Sequence, residues 1–400
     1  MSSQYKLHRP LAFSIVQSLE EVLLEHRPVD KVLERCFKSN PKFGKRDRGI
    51  IAENVYDITR HYISILHAIP GKTDFWSVLG AWLVINGLEL PEWREFKATD
   101  KKSILSNYRE GVKSPAIQYS IPEVLDEHGR QQLGERWYKE MKAMHLPASM
   151  VLRVNSLKAA TPEVTNYLSD VLIKYKVLDN KHGVEVEQRM NLFASQIFKE
   201  GWVEVQDYAS QQVGLFVKPA PGDWVIDACA GGGGKALHLA ALMQNKGRIV
   251  ALDTDQYKLE NLKKRSKRAG AQIIEARWIE NNKVIKRLEG TADKLLLDVP
   301  CSGSGVLRRN PDAKYRITPE YIADLKLKQE HILQSYSRMV KIGGEMVYVT
   351  CSLFPEENED QIQLFLKANP TFQLVEEKHL WPSEFGYDGF YMAKLTRVGV

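Results

Sequence analysis

Apolar residues recur at helical spacing through the first part of the chain. Leu11, Ile15, Leu19, Val22 and Leu23 form one stripe, and Ile50, Ile51, Val55, Ile58, Tyr62, Ile65 and Leu66 form a second. Residues three and four apart share one face of a helix, so each stripe predicts an amphipathic helix packed on a core. Gly71 and Pro91 fall where helices should stop. Residues 1–118 are therefore expected to be all-helical. Pro122 opens a pair of connecting helices, and Pro147 ends them. From Met150 the pattern shortens: strands are predicted at 151–154 and 184–186, with a helix over 162–172 between them. Residues 119–220 thus read as connecting helices followed by a small α+β subdomain.

After Pro221-Gly222 the chain alternates apolar runs with helical stretches. Strands are predicted at 224–227, 248–253, 273–277, 294–298 and 345–349, and the longest helix over 319–340. Five strands joined by helical crossovers imply a mostly parallel doubly wound sheet, so residues 221–400 are expected to form a Rossmann-like α/β domain. Two last strands, 372–375 and 390–396, are joined by a loop containing Gly386 and Gly389, which suits an antiparallel hairpin at the sheet edge.

Composition narrows the class only modestly. A net charge of +6 permits a nucleic-acid partner without demanding one. The four cysteines, Cys36, Cys229, Cys301 and Cys351, include no C-x-x-C pair, which argues against a zinc site and for a reducing compartment. The first ten residues lack the apolar core of a signal peptide, and the stretch 76–90 is too short to span a bilayer. A cytoplasmic monomer without metal or membrane contact is expected.

The first predicted strand of the α/β domain ends in Asp227-Ala228-Cys229-Ala230, followed by Gly231-Gly232-Gly233-Gly234-Lys235 and a helix. Glycines at such a turn let the backbone of a helix N-terminus approach a ligand closely. A phosphate-binding Walker loop would need Gly at 229 and Ser or Thr at 236, where this chain has Cys229 and Ala236. The next strand ends in Asp253, an acid placed to accept both ribose hydroxyls of an adenosyl ligand. On these residues alone the ligand is either NAD or S-adenosylmethionine.

Two cysteines sharpen the reading. One follows the fourth strand, in Asp298-Val299-Pro300-Cys301-Ser302. The other follows the fifth, in Thr350-Cys351-Ser352. Ligands of open α/β sheets sit at the carboxyl ends of strands, so both thiols belong on the ligand edge. A lone buried cysteine is usually a small hydrophobe, but this repeated placement fits a chemical need. Carbon 5 of cytosine is a poor nucleophile toward a sulfonium methyl. A thiolate adding to carbon 6 makes carbon 5 enamine-like and splits one hard step into two easier ones.

These pieces resemble the RsmB/Sun family of RNA cytosine-5 methyltransferases. The resemblance rests on DACAGGGGK, LLLDVPCSGSG, VYVTCSLFPEENEDQI, LRVNSLK, VEVQDYASQ and GVLRRNPDAKYR, and covers residues 120–400. The first 118 residues look like the NusB-like RNA-binding domain that precedes the catalytic domain in one member of that family. The resemblance implies S-adenosylmethionine as cofactor and RNA as substrate, with bacterial small-subunit ribosomal RNA the expected target. It makes Cys351 the nucleophile and Cys301 the cysteine that helps release the product. Asp298 becomes the acid on the cytosine edge and at the cofactor pocket, with Lys235 beside it in the catalytic set. Residues Cys229, Ala230, Gly231, Gly232, Gly233, Gly234 and Lys235 match the methionine-binding loop, Asp253 matches the ribose acid, and Arg153 and Asn155 fall in a structural motif. The chain departs from the pattern in two places. A glycine replaces the proline of the usual Ala-Pro-Gly-Gly, and the acid usual near 279 is missing from Arg277-Trp278-Ile279-Glu280-Asn281, so Glu280 or Asn281 is the candidate adenine contact.

An NAD oxidoreductase would leave both cysteines without a role. A catalytically inactive RNA-binding protein would leave Cys301, Cys351, Asp298 and Lys235 without one. The basic run Lys263–Arg268 is expected to be a solvated helix face, whereas Arg308-Arg309, directly after the first cysteine loop, is expected at the rim of the site, where phosphate contacts would position a strand.

Overall fold

The computed structural model describes residues 7–71, 74–187 and 191–399. They form two units. One comprises the chain up to Leu146 together with Leu307–Tyr321; the other comprises Pro147–Val306 and Ile322 onward.

The first unit is helical throughout. Its helices include Arg9–Leu23, Val29–Ser39, Lys45–Ala68, Phe75–Ile85 and Lys101–Gly111. Both predicted stripes point inward: Ile15, Leu19, Ile51, Val55, Ile58 and Ile65 are fully buried in one core with Val78 and Leu79. Side-chain caps start two of the helices. The Asp74 carboxylate accepts from the Ser77 N–H at 2.9 Å, and that of Asp100 from the Lys102 and Ser103 N–H groups at 3.0 and 3.2 Å. Each such cap satisfies backbone donors that the first turn leaves unpaired. The connecting helices Glu123–Leu133 and Arg136–Met144 belong to this unit. They are tied together where buried Trp137 donates its indole N–H to Asp126 at 2.9 Å.

The segment Leu307–Tyr321 leaves the α/β unit in sequence and folds as part of the helical one. Arg60 donates to the Arg308 carbonyl at 3.0 Å, Lys314 to the Arg60 carbonyl at 2.7 Å, and Tyr315 to the Thr59 carbonyl at 2.7 Å. Burial, with Arg60 nearby, pulls the Lys314 ammonium well below its ordinary pKa. Arg308, expected at an exposed rim, is only 8% exposed. Any truncation that removes residues 1–119 therefore strips this strap of its partners.

The second unit opens with a small antiparallel sheet in the order β2-β3-β1-β4, with β1 Met150–Val154, β2 Tyr175–Val177, β3 Gly183–Val186 and β4 Val203–Val205. Helix Thr161–Asp170 buries Val164 and Leu168 against Leu152, Val154 and Val184. The main sheet follows: β5 Trp224–Asp227, β6 Arg248–Asp253, β7 Ile274–Trp278, β8 Ala292–Asp298, β9 Val340–Thr350, β10 Phe372–Leu380 and β11 Phe390–Arg397. Their order is β10-β11-β9-β8-β5-β6-β7; β5 to β9 are parallel, and β11 and β10 close one edge antiparallel. This is the Rossmann-like sheet with an antiparallel edge that the sequence predicts. Alternate residues of the apolar runs face opposite layers. Val225, Ile249 and Ala251 pack with Leu237, Leu259 and Leu262 of helices Gly234–Leu242 and Gln256–Ala269. Ile226, Val250 and Leu252 share the other layer with Leu333 of helix Pro319–Tyr336 and Ile362 and Phe365 of helix Glu359–Ala368. Burial on both faces is why these strands are apolar throughout.

Candidate active site

The strand order reverses between β5 and β8, because the chain runs outward through β6 and β7 before crossing back. At such a switch point a crevice opens at the carboxyl ends of the strands. Of the predicted site residues, Asp253 ends β6, Asp298 ends β8 and Cys351 follows β9 at this edge. Asp227, to which the sequence reading gives no role, ends β5 there. Lys235, in the first turn of helix Gly234–Leu242, spans the switch point and donates to Asp298 Oδ2 at 2.6 Å. Burial alone would lower the Lys235 pKa, but attraction to Asp298 and to Cys351 outweighs it and the net shift is upward. Lys235 is thus a fixed ammonium between the glycine loop and the cysteines.

The loop after β5 is shaped by glycines that no other residue would replace without strain. Gly231 and Gly233 take φ of +53° and +84°, the left-handed region where a Cβ is disfavoured. Gly231 faces open space, whereas a Cβ on Gly233 would lie 2.6 Å from Leu262 Cγ. Three side chains brace the loop. The Gly231 N–H donates to Asp253 Oδ2 at 2.8 Å, Arg265 donates to the Gly232 carbonyl at 2.6 Å, and Arg153 to the Gly234 carbonyl at 2.8 Å. Arg153 is fully buried and also donates to Gln206; burial draws its pKa down to about 10. Asn155 ties the small sheet to helix Gln256–Ala269 by donating to the Gly201 and Ala269 carbonyls at 2.8 Å each. Arg153 and Asn155 are therefore structural, supporting the loop from beneath. The basic run on that helix is only partly a solvated face, since Arg265 and Arg268 both pair with buried Glu204 of β4.

The loop suits a ligand that is cationic and adenosyl-bearing. Asp227 is 1% exposed, and neither carboxylate oxygen is paired by a hydrogen bond of good geometry. Burial, with Asp298 and Asp253 adding to it, raises its pKa to about 7. A buried carboxylate so poorly paired is costly, and a cationic ligand beside it would remove the cost. The raised pKa gives a pH signature. Stability from protonated Asp227 is fully present below the ordinary carboxylate pKa and is lost as pH rises through about 7. In the ligand-free protein, Asp227→Asn should therefore gain melting temperature relative to wild type as pH rises from 5 to 8, and should weaken cofactor binding. A stability difference independent of pH would show that Asp227 does not titrate there.

Asp253 has two tasks. Beyond Gly231, its Oδ1 accepts from the Asp255 N–H at 2.8 Å. Each oxygen keeps acceptor capacity for a ribose hydroxyl. Asp253→Ala is expected to lower cofactor affinity at least about tenfold, since two charge-assisted bonds are worth about 1.5–3 kcal/mol each. Calorimetry that finds unchanged affinity removes Asp253 from the site. Of the residues around 279, Ile279 is buried, while Glu280 and Asn281 are exposed just beyond β7. Cys229 lies at the loop's start; burial and Asp227 push its thiol well up, which leaves it unreactive.

The two motif cysteines meet. Their sulfurs are 3.4 Å apart, and the Cys351 N–H donates to the Cys301 sulfur at 3.3 Å. Contact with Cys351, then burial, raises the Cys301 thiol well above its ordinary pKa. Beneath them lies a polar network that the sequence did not reveal. Glu357 and Gln329 are fully buried. Glu357 Oε1 accepts from the Ser302 N–H at 2.8 Å and from Gln329 at 2.9 Å, while Oε2 accepts from the Ser302 and Ser352 hydroxyls at 2.5 Å each. Gln329 also donates to the Pro300 carbonyl at 3.0 Å. Ser304 accepts from the Leu353 N–H at 2.8 Å, and Asn358 donates to the Ser352 carbonyl at 3.0 Å. The available signal was the serine after each cysteine, which is too common a residue to stand out alone.

A Rossmann-like sheet, a glycine loop with its acid, and a lysine–aspartate pair beside two strand-end thiols define an S-adenosylmethionine-dependent methyltransferase. Comparison with known proteins agrees. Residues 214–396 match the family described as 16S rRNA methyltransferase RsmB/F. The chain is 30% identical to ribosomal RNA small subunit methyltransferase B of Vibrio cholerae, over 97% of this chain and 90% of that protein. It is 29% identical to the probable ribosomal RNA small subunit methyltransferase B of Bacillus subtilis, over 92% and 94%. Among solved structures, PH0851 superposes with a TM-score of 0.82 at 26% identity, over 98% of this chain and 100% of the other. A methyltransferase homologue from Pyrococcus horikoshii gives 0.63 at 26% identity, over 71% and 98%. The chain belongs to the RsmB/F family of rRNA methyltransferases.

Proposed function

We propose that this methyltransferase modifies carbon 5 of a cytosine in bacterial small-subunit ribosomal RNA through a covalent bond to Cys351. The observation that carries the reading is the 3.4 Å contact between the two motif thiols at the carboxyl edge of the sheet. Contact with Cys351 and burial hold Cys301 as the thiol, and the attack is assigned to Cys351, whose reacting form is the thiolate. The Cys351 sulfur adds to carbon 6, and the electron pair of the 5,6 double bond moves toward carbon 5, with Asp298 assigned to polarise the ring edge. S-adenosylmethionine, bound along residues 229–235 and Asp253, supplies an electrophilic methyl group. Once carbon 5 carries the methyl, its proton leaves to water, the double bond re-forms, and the carbon–sulfur bond to Cys351 breaks. Because the Cys301 sulfur accepts the Cys351 N–H, its own S–H is free to turn toward the departing thiolate and protonate it, and Cys301 then takes back a proton from water. Lys235 fixes Asp298 throughout.

The helical unit is assigned RNA selectivity. Its exposed Lys42, Lys45 and Arg46 sit at the start of helix Lys45–Ala68, where cations oppose the helix dipole and a phosphate would offset them. Bisulfite sequencing of total RNA from cells with and without this protein tests the whole reading. One protected cytosine in small-subunit ribosomal RNA should lose its protection when the protein is absent. An unchanged protection pattern would defeat the proposal.

A further inference from the structure

Glu357 is a buried carboxylate that neither the cofactor loop nor the bond-making steps account for. It sits in the short 3-10 turn Pro355–Glu357, just beyond the second cysteine loop, and is 0% exposed. All four of the hydrogen bonds described above come from neutral donors: a backbone N–H, two serine hydroxyls and a glutamine amide. A charge buried without a cation is expensive, and it persists only where fixed donors surround it. The placement of those donors is the informative point. Ser302 follows Cys301 directly, and Ser352 follows Cys351 directly. Gln329 holds both Glu357 and the carbonyl of Pro300, the residue before Cys301. The carboxylate thus grips one loop on both sides of its cysteine and the other on the far side of its own. The backbone adds one more link, as Gly305 N–H donates to the Cys351 carbonyl at 2.9 Å.

We propose that Glu357 is a positioning residue for product release: by clamping Ser302 and Ser352 on one carboxylate it holds the Cys301 sulfur against Cys351. The proposal rests on the two-cysteine reading above and extends it to a residue that touches neither RNA nor cofactor. A carboxylate fits the task better than a hydroxyl or an amide. It offers four acceptor positions and no donor, so the two serine hydroxyls and the two N–H groups can all point inward at once. Removing it leaves the Ser302 N–H without its acceptor and reduces the hydroxyl link between the loops to the longer Ser302–Ser352 and Ser304–Ser352 contacts at 3.2 and 3.3 Å, so the two sulfurs can drift apart. A shift of about an ångström is enough to cost a proton transfer its geometry. The nucleophile would still reach carbon 6, because Cys351 stays at the end of β9, whose backbone is held in the ladder by β8 and β11.

The test compares Glu357→Ala, Glu357→Gln and Cys301→Ala, each incubated with S-adenosylmethionine and substrate RNA and run on a denaturing gel. The Ala variant should retain at least about ten times more covalent RNA than wild type while binding cofactor with unchanged affinity, the tenfold corresponding to about 1.4 kcal/mol lost at the release step. Gln keeps one oxygen and lets the serine hydroxyls turn to accept, so it should restore part of the release. Should Glu357→Ala melt too low to assay, Ser302→Ala, which removes one of the carboxylate's four bonds together with the hydroxyl's contacts to Ser352 and Ser304, should show a smaller rise in adduct. If Cys301→Ala traps RNA but the folded Glu357 and Ser302 variants are merely slow and trap none, the clamp is refuted and the two-cysteine reading stands. If Cys301→Ala itself traps nothing, the reading beneath the proposal fails and the proposal with it.

Discussion

Cys351→Ala is expected to abolish methylation while leaving cofactor affinity nearly unchanged. On the proposed reading the thiol acts on the base, and the cofactor is held elsewhere, by the loop after β5 and by Asp253. Without a thiolate to add at carbon 6, carbon 5 returns to being a poor nucleophile, and positioning alone does not replace a covalent step. The neighbouring Cys301 is only 3.4 Å away but is held as a thiol, so it does not substitute. Residual activity above a few per cent, measured by methyl transfer to RNA with a protein that still binds cofactor, would remove Cys351 from the nucleophile's role.

The second large effect is expected at Gly233. Alanine there meets two penalties at once. At φ +84° a Cβ costs about 1–2 kcal/mol of backbone strain. The same Cβ would sit 2.6 Å from Leu262, whose side chain is buried in the layer between sheet and helix and has nowhere to go. Overpacking of that kind costs about 1–3 kcal/mol more. The loop relieves both by moving, and as the proposed seat of the cofactor it should then lose affinity by well over about tenfold. Gly231→Ala is the matched control: φ is again positive, but nothing lies within 4 Å of its Cβ, so only the strain applies and the loss should be clearly smaller. Equal losses at the two positions would mean that the contact with Leu262 does not matter.

Much of this was legible in the sequence because it is local or periodic. The apolar runs of β5, β6 and β8 announce strands covered on both faces, and the residues that follow each run fall at the carboxyl edge without further information. Elements that lack such patterns were less visible. β2 and β4 have three residues each, too few for an alternation to register. β9 begins at Val340, five residues earlier than expected, because Gly343, at φ +78°, and Gly344 interrupt the apolar pattern where the ladder to β8 shifts register. β10 runs on to Leu380 through exposed polar residues, as an edge strand can. The long helix stops at Tyr336 and not at 340. Long-range polar pairing was out of reach altogether. Nothing near Arg265 in sequence points to Glu204, and nothing near Arg308 tells that its segment leaves the α/β unit to fold with the helices. For the same reason Glu357 stands out in the sequence only as part of a motif, with nothing beside it to indicate a task.

The most direct test of the two-cysteine mechanism is the fate of RNA on Cys301→Ala. If Cys301 only packs its loop, the variant is slower at every step and traps none. If it protonates the departing Cys351 sulfur, methyl transfer is completed and the RNA stays attached. Denaturing electrophoresis after incubation with S-adenosylmethionine and an RNA that the wild type methylates should show a slower-migrating band for Cys301→Ala, and that band should vanish in the Cys301→Ala/Cys351→Ala double variant. Absence of the band in the single variant, or its persistence in the double one, would contradict the account.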